Sequence, residues 1–251
     1  MSFDRLSLST VPITPFFNDL QLPEATGFIW KRRERFYLIT NWHVVSALDL
    51  FTKMHLLKGG SRPNKFRCHI LVRVGEYWHE PIDVPIRDEN DQPLWLIHPA
   101  QEMRAIDIVA LPFDYDSLKT KVTLLPVNEL APGKIAIMIG MDVFILGYPF
   151  GSKPPAFPVW KRGSIASEPD LVRVSTGYYS RPGMSGSPVI LRSWSNHILE
   201  SNMWTTSNDQ LPIDRIIGVY SGRLRPEGAQ IGIAWHVEYI DQIIDGGKRD
   251  T

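Results

Sequence analysis

Three short segments carry residues that could do nucleophilic chemistry. The first is RPGMSGSPVI at 181–190, where Ser185 lies in a G-x-S-G stretch followed by Ser-Pro and an apolar run. Attack on a carbonyl needs an exposed hydroxyl and backbone N–H groups converging where the oxyanion forms. Glycines permit the unusual dihedrals such a loop requires. Taken alone, so short a stretch is weak. The second segment is LITNWHVV at 38–45, which sets His43 where a strand-like run meets a short helical one. A lone histidine is usually structural, and the chain has six others (His55, His69, His79, His98, His197 and His236), none of them in this setting. In the third, AIDIVALPF at 105–113, Asp107 stands at the head of an apolar run. Aspartate is rarely buried without a partner. It either caps a strand end or holds an imidazole in one tautomer.

The elements that must position these residues read as strands. Strand-like runs occupy 27–30, 35–40, 66–74, 107–113, 143–149, 171–176, 187–191, 216–222 and 231–237. Turn-rich clusters such as GGSRPN (59–64) and RDENDQP (87–93) separate some of them. Many short strands with turns between them imply a sandwich or a barrel. Helical periodicity is confined to 43–51 and to 237–244, where Val237, Ile240, Ile243 and Ile244 share one face. A long polar loop or hairpin is expected over 196–212, and the α/β-hydrolase elbow is excluded because a strand rather than a helix follows Ser185.

The 251 residues suit a single all-β double barrel. Lysine plus arginine and aspartate plus glutamate both total 27, so no basic field is available for nucleic acid or an anionic membrane. The cluster Lys31, Arg32, Arg33 and Arg35 is expected to be a solvated turn. A single cysteine, Cys68, rules out an intrachain disulfide and favours a reducing compartment; it reads as a small core residue. The N-terminus has no signal-peptide core and no stretch reaches the length of a membrane span. A cytoplasmic protein is therefore expected. No metal-ligand spacing and no phosphate-binding loop occurs, so no metal and no cofactor is expected.

In combination and in the order His, Asp, Ser, the three segments resemble the trypsin-like (chymotrypsin-fold) serine protease superfamily, and within it the HtrA/Deg protease domain. Thr40–Val44 is similar to the T-N-x-H-V motif of that branch, Asp107–Leu111 to its aspartate strand, Gly147–Gly151 to its G-x-P-F-G segment and Gly163–Ser167 to the strand after it. Gly183–Pro188 resembles the serine motif G-N-S-G-G-P, and Ile231–Val237 a late G-x-G-F-A-I-like strand. The resemblance implies two six-stranded antiparallel β-barrels, at about 10–125 and 126–236, with a short C-terminal helix at about 237–245. It implies a catalytic triad of His43, Asp107 and Ser185, with an oxyanion hole at Gly183 and Ser185. Tyr220, Ser221 and Gly222 match the edge strand that pairs with substrate, Tyr179 the base of the specificity pocket, and Gly222 and Gly232 its walls. No acidic residue stands at the pocket base, so an apolar residue before the scissile bond is expected.

The chain departs from the pattern at two places. Met184 replaces the acid that pairs with a newly cleaved N-terminus, so activation by propeptide cleavage is not expected. Ser187 replaces a second glycine, and whether it disturbs the oxyanion loop depends on its backbone dihedrals. The stretch between His43 and Asp107 implies inserted hairpins and loops at 52–65 and 76–103, and no PDZ-like domain fits after residue 245. The expected activity is that of a gated serine endopeptidase of narrow specificity, with a protein or peptide substrate and a regulatory partner protein, and without nucleic acid or membrane. The competing class is a protease-like pseudoenzyme that holds an extended peptide without turnover.

Overall fold

The computed structural model describes residues 3–57, 59–72, 79–100, 105–151, 157–168, 173–177, 182–194, 196–201, 203–206, 212–223 and 231–251. Two antiparallel sheets dominate it. The first contains β1 (Thr10–Phe17), β2 (Leu20–Gln21), β3 (Ala25–Arg32), β4 (Arg35–Thr40), β5 (Lys65–Leu71), β6 (His79–Pro85) and β7 (Val109–Phe113). Its order is β6-β5-β1-β3-β4-β7, with the two-residue β2 folded back on β1. The second contains β8 (Asp142–Gly147), β9 (Val159–Ser164), β10 (Arg173–Gly177), β11 (Pro188–Ser193), β14 (Ile213–Arg223) and β15 (Ile231–His236). Its order is β10-β15-β14-β11-β8-β9. A separate hairpin, β12 (Asn196–Ile198) and β13 (Trp204–Thr206), occupies the segment read as a polar loop or hairpin.

Two strands of the first sheet, β1 and the short β2, fall where the sequence suggests none. β1 contains Pro12 and Pro15, which read as breakers. It passes from one partner to the other at Ile13: Pro12 pairs only with Thr26 of β3, and Pro15 only with Phe66 of β5. Each proline is thus paired on one side alone, where a missing N–H does least harm to the ladder. β6 lies in the stretch expected to hold inserted hairpins and loops, and it pairs antiparallel with β5 over seven residues. The expected helix over 43–51 is shorter: α2 spans Trp42–Ser46, and Ala47 ends it in the left-handed region at φ 56°.

The basic cluster is an ion-paired hairpin. Arg33 and Glu34 both adopt positive φ at the two-residue β3–β4 turn, the twist such hairpins need. The C-terminal helix α4 (Glu238–Gly246) lies against it; α1 (Arg5–Ser9) and α3 (Val127–Leu130) are the other short helices. Arg32 pairs with Asp241 at 2.9 Å and Asp245 at 2.7 Å, and the Trp30 indole donates to Asp241. The opposite face of α4 buries Tyr239, Ile240, Ile243 and Ile244, the face its periodicity indicates.

The main core joins Phe28, Leu38, Ile39, Phe66 and Val109 of the first sheet with Trp235 and Ile240. A second core fills the other sheet around Val143, Ile145, Val189 and Ile217. Cys68 is fully buried in the first core, and burial, with the nearby Asp83 charge, pushes its thiol far up. It is a packing residue, not a nucleophile. Among the described residues no helix is long and apolar enough to cross a membrane.

Candidate active site

β4 delivers the chain to the site. Its last residue, Thr40, is fully buried and donates its hydroxyl to the Thr26 carbonyl at 2.9 Å. Asn41, also fully buried, donates its amide to the Asp107 carbonyl at 2.7 Å. That bond ties the end of β4 to the segment entering β7, and so sets His43 opposite Asp107. His43 donates its backbone N–H to Asp107 Oδ1 at 2.9 Å, and its Nδ1 lies 2.7 Å from Asp107 Oδ2. An ionised carboxylate can only accept, so the proton sits on Nδ1 and Nε2 is left as a base. Ser221 donates a third hydrogen bond to Oδ2 of the same carboxylate.

Burial works against a charged imidazole at His43. The Asp107 charge and its hydrogen bond, with a further contribution from Asp49, outweigh it and raise the ring above its ordinary value of 6.5.

The loop from Pro182 to Ser187 is held by its carbonyls. Pro182 O accepts from Phe150 N at 3.0 Å, Gly183 O from the Thr26 hydroxyl at 2.7 Å, Met184 O from Ser187 N at 3.2 Å and Ser185 O from Thr26 N at 2.8 Å. In a trans peptide the N–H points away from the preceding C=O. Fixing the Pro182 and Met184 carbonyls therefore directs the amides of Gly183 and Ser185 the other way. Among the described residues neither amide donates a hydrogen bond. Backbone amides left without an acceptor in this way are the kind of donor an oxyanion needs. Gly183 adopts φ +96°, and a side chain there would meet the Tyr148 carbonyl at 2.3 Å.

The two departures from the family pattern are both accommodated. Ser187 is fully buried and has no positive φ, so the loop does not require glycine there. Among the described residues its hydroxyl has no hydrogen-bond partner, and it packs against Gly147. Met184 is buried among Ile135, Val143, Ile145 and Val189, an apolar anchor for the loop.

The Ser185 hydroxyl is partly exposed and donates to Ser221 O at 3.5 Å rather than to His43. Both side chains line one pocket, together with Gly183. Catalytic hydrogen bonds are often long or misaligned before substrate binds.

The remaining predicted site residues are placed unevenly. Ser221 is the extra residue of a bulge between Tyr220 and Gly222 in β14, which turns its hydroxyl to Asp107. Tyr220 lies within β14 with its side chain buried, its N–H donates to Ser187 O and its carbonyl accepts from Gly186 N. Gly222 pairs with Ile233, and Gly232 pairs with Thr176 and Arg223, which puts both at the β14–β15–β10 ladder. Tyr179 lies outside the described residues. Thr26 and Asp250 escaped sequence reasoning. Asp250 accepts from the indoles of Trp42, at 2.8 Å, and Trp95, at 3.0 Å, and so secures the residue next to His43. Nothing local in the sequence marks either role.

Residues 25–195, more than half of the chain, match the family model described as the trypsin-like peptidase domain. The chain belongs to the trypsin-like peptidase family. This trypsin-like domain superposes on solved structures at low identity. One is the serine endoprotease from Yersinia pestis, with TM-score 0.55, 13% identity and coverage of 98% of this chain and 66% of that one. Another is the active form of the Rv3671c protease from M. tuberculosis, with TM-score 0.52, 16% identity and coverage of 98% and 84%. A third is human heparin binding protein, with TM-score 0.51, 17% identity and coverage of 98% and 93%. At these identities the likeness is one of fold. No curated protein matches the chain.

Proposed function

We propose that this chain is a serine endopeptidase. The observation that carries the reading is the pairing of His43 with Asp107 beside a serine loop whose Pro182, Gly183, Met184 and Ser185 carbonyls are engaged and whose Gly183 and Ser185 amides donate no hydrogen bond among the described residues. Ser185 Oγ attacks the scissile carbonyl carbon while His43 Nε2 takes its proton. The Gly183 and Ser185 amides stabilise the oxyanion. His43 then gives the proton to the leaving amine, and an acyl-enzyme remains on Ser185. Water, deprotonated by His43, attacks that ester and frees the serine. Asp107 stays ionised and stabilises the imidazolium. Ser221 and Gly222 would pair with the substrate backbone on the acyl side. Tyr220 is not carried into that role, since its own groups are spent within the fold.

Met184 in place of an acid supports an enzyme that needs no cleaved N-terminus to form its oxyanion loop. A narrow, gated specificity, the HtrA/Deg affinity and a cytoplasmic location belong to this same proposal, the last supported by the single buried Cys68.

One observation favours a second reading. The Ser185 hydroxyl bonds to Ser221 rather than His43, and a protein named for binding, human heparin binding protein, shares the fold. A peptide-binding module without turnover would have this arrangement. Hydrolysis of a generic ester or casein by the purified protein, with Ser185→Ala and His43→Ala beside it, separates the two. The proposal predicts losses of about 10⁴ to 10⁶ in rate for either variant. Equal turnover by wild type and Ser185→Ala refutes it.

A further inference from the structure

The pocket that holds His43 and Ser185 has a volume of 260 Å³. That is just below the ~300 Å³ at which small-molecule sites begin, and it suits one or two side chains. Its walls are apolar: Leu22 and Ala25 from the β2–β3 region, Val44 and Ala47 from α2 and its cap, and Leu57 from the loop that follows. Among the described residues lining it, Glu24 is the one ionisable side chain besides His43. Leu56, 49% exposed, forms part of the rim, and Phe51 and Met54 on the same loop extend apolar surface outside it at 66% and 70% exposure.

The position of the pocket fixes which part of a substrate it meets. No residue of β14 lines it, although Ser221 of β14 touches the nucleophile. Its wall is the helix that carries His43, the residue that hands a proton to the departing amine. On the peptidase reading above, on which this inference rests, the acyl half lies along β14. The opposite side receives the leaving group.

We propose that this pocket binds an aliphatic or aromatic side chain immediately after the scissile bond, so that cleavage is selected from the leaving-group side. Acidic residues are disfavoured there by the Glu24 carboxyl and the apolar walls. Full burial of one such side chain corresponds to about 10- to 100-fold in selectivity over glycine.

Acyl transfer reads this pocket directly. The enzyme is acylated with p-nitrophenyl acetate, and amides of Leu, Met, Phe, Gly and Asp compete with water for the acyl group. In each transfer the amine nitrogen bonds to the acyl carbon and the Ser185 Oγ–carbon bond breaks. His43 carries the amine proton to Oγ. The proposal expects Leu, Met and Phe amides to capture the acyl group at least 10-fold better than Gly or Asp amides. Leu56→Glu, at the exposed rim of the pocket, should reduce that preference about 10-fold, and Leu57→Ala should also reduce it. Equal capture of all amides, or preference for the Asp amide, overturns the pocket assignment while leaving the hydrolase reading intact. Failure of the folded protein to release p-nitrophenol overturns the hydrolase reading and the pocket assignment with it.

Discussion

Thr26 offers the sharpest test of how the serine loop is held. It is fully buried on β3, and its hydroxyl donates to Gly183 O at 2.7 Å while accepting from Tyr148 N at 3.1 Å. Thr26→Val keeps the shape and the backbone bond to Ser185 O but removes both hydroxyl contacts. A buried carbonyl and a buried amide are left unpaired, at about 1–3 kcal/mol each. Partial relaxation makes a total loss of about 2–4 kcal/mol reasonable. Loss of the tie at Gly183 also frees the middle of the loop between the two oxyanion donors. Removing one donor outright costs about 10² to 10³ in kcat, so loosening the loop should cost about 10-fold, with KM little changed. Urea denaturation gives the first quantity and steady-state hydrolysis the second. Thr26→Ser, which restores the hydroxyl, should recover most of both. A Thr26→Val protein with wild-type stability and wild-type kcat would refute the argument that Thr26 holds the loop.

The raised His43 pKa predicts that kcat/KM climbs with pH through an inflection above 6.5, since only the neutral ring accepts the serine proton. Asp49→Asn should move that inflection down; a pH–rate profile checks both, and an inflection below 6.5 contradicts the assignment. The same raised pKa means that the His43–Asp107 contact stabilises the fold fully at pH values below the unfolded value of 6.5. That contribution is lost as pH rises through the folded value, which thermal melts at two pH values would show. Ser187→Ala removes a buried hydroxyl that has no partner among the described residues, so it should leave stability unchanged or raise it by up to about 1 kcal/mol; a clear loss in a thermal melt would mean the hydroxyl is bonded. Asp250→Ala leaves two buried indole N–H groups without an acceptor, worth about 2–4 kcal/mol, or roughly 5–15 °C in melting temperature for a domain of this size. Asp250→Asn keeps an acceptor and should recover most of that; an unshifted melt for Asp250→Ala would contradict the clamp.

The residues proposed to do chemistry stand out in the sequence because each sits in a setting that its type alone does not explain. His43 sits where a strand runs into a short helix, Asp107 heads an apolar run and Ser185 lies among glycines. The sheets were legible wherever apolar strands alternate with turns, as at Arg35–Thr40, which the structure reproduces residue for residue. What failed was local inference against long-range pairing. β1 looks like a broken segment until its prolines are seen to face one partner each. β6 falls in a stretch read as hairpins and loops, but with three polar residues and two prolines its bounds come only from its register with β5. The apolar run after His43 reads as a longer helix, yet Ala47 takes a left-handed turn that directs the chain along the pocket wall. Thr26 lies 157 residues from the carbonyl it holds, and no local pattern encodes such a contact.

The central claim is that Ser185 is an activated nucleophile. Treating the folded protein with a fluorophosphonate probe and locating the adduct by peptide mass spectrometry tests it most directly. Such probes react with a serine only where base and oxyanion donors are assembled around it. The account predicts a single adduct on Ser185, absent from Ser185→Ala and from His43→Ala. A folded wild-type protein that takes up no probe, or takes it up equally in Ser185→Ala, would contradict it.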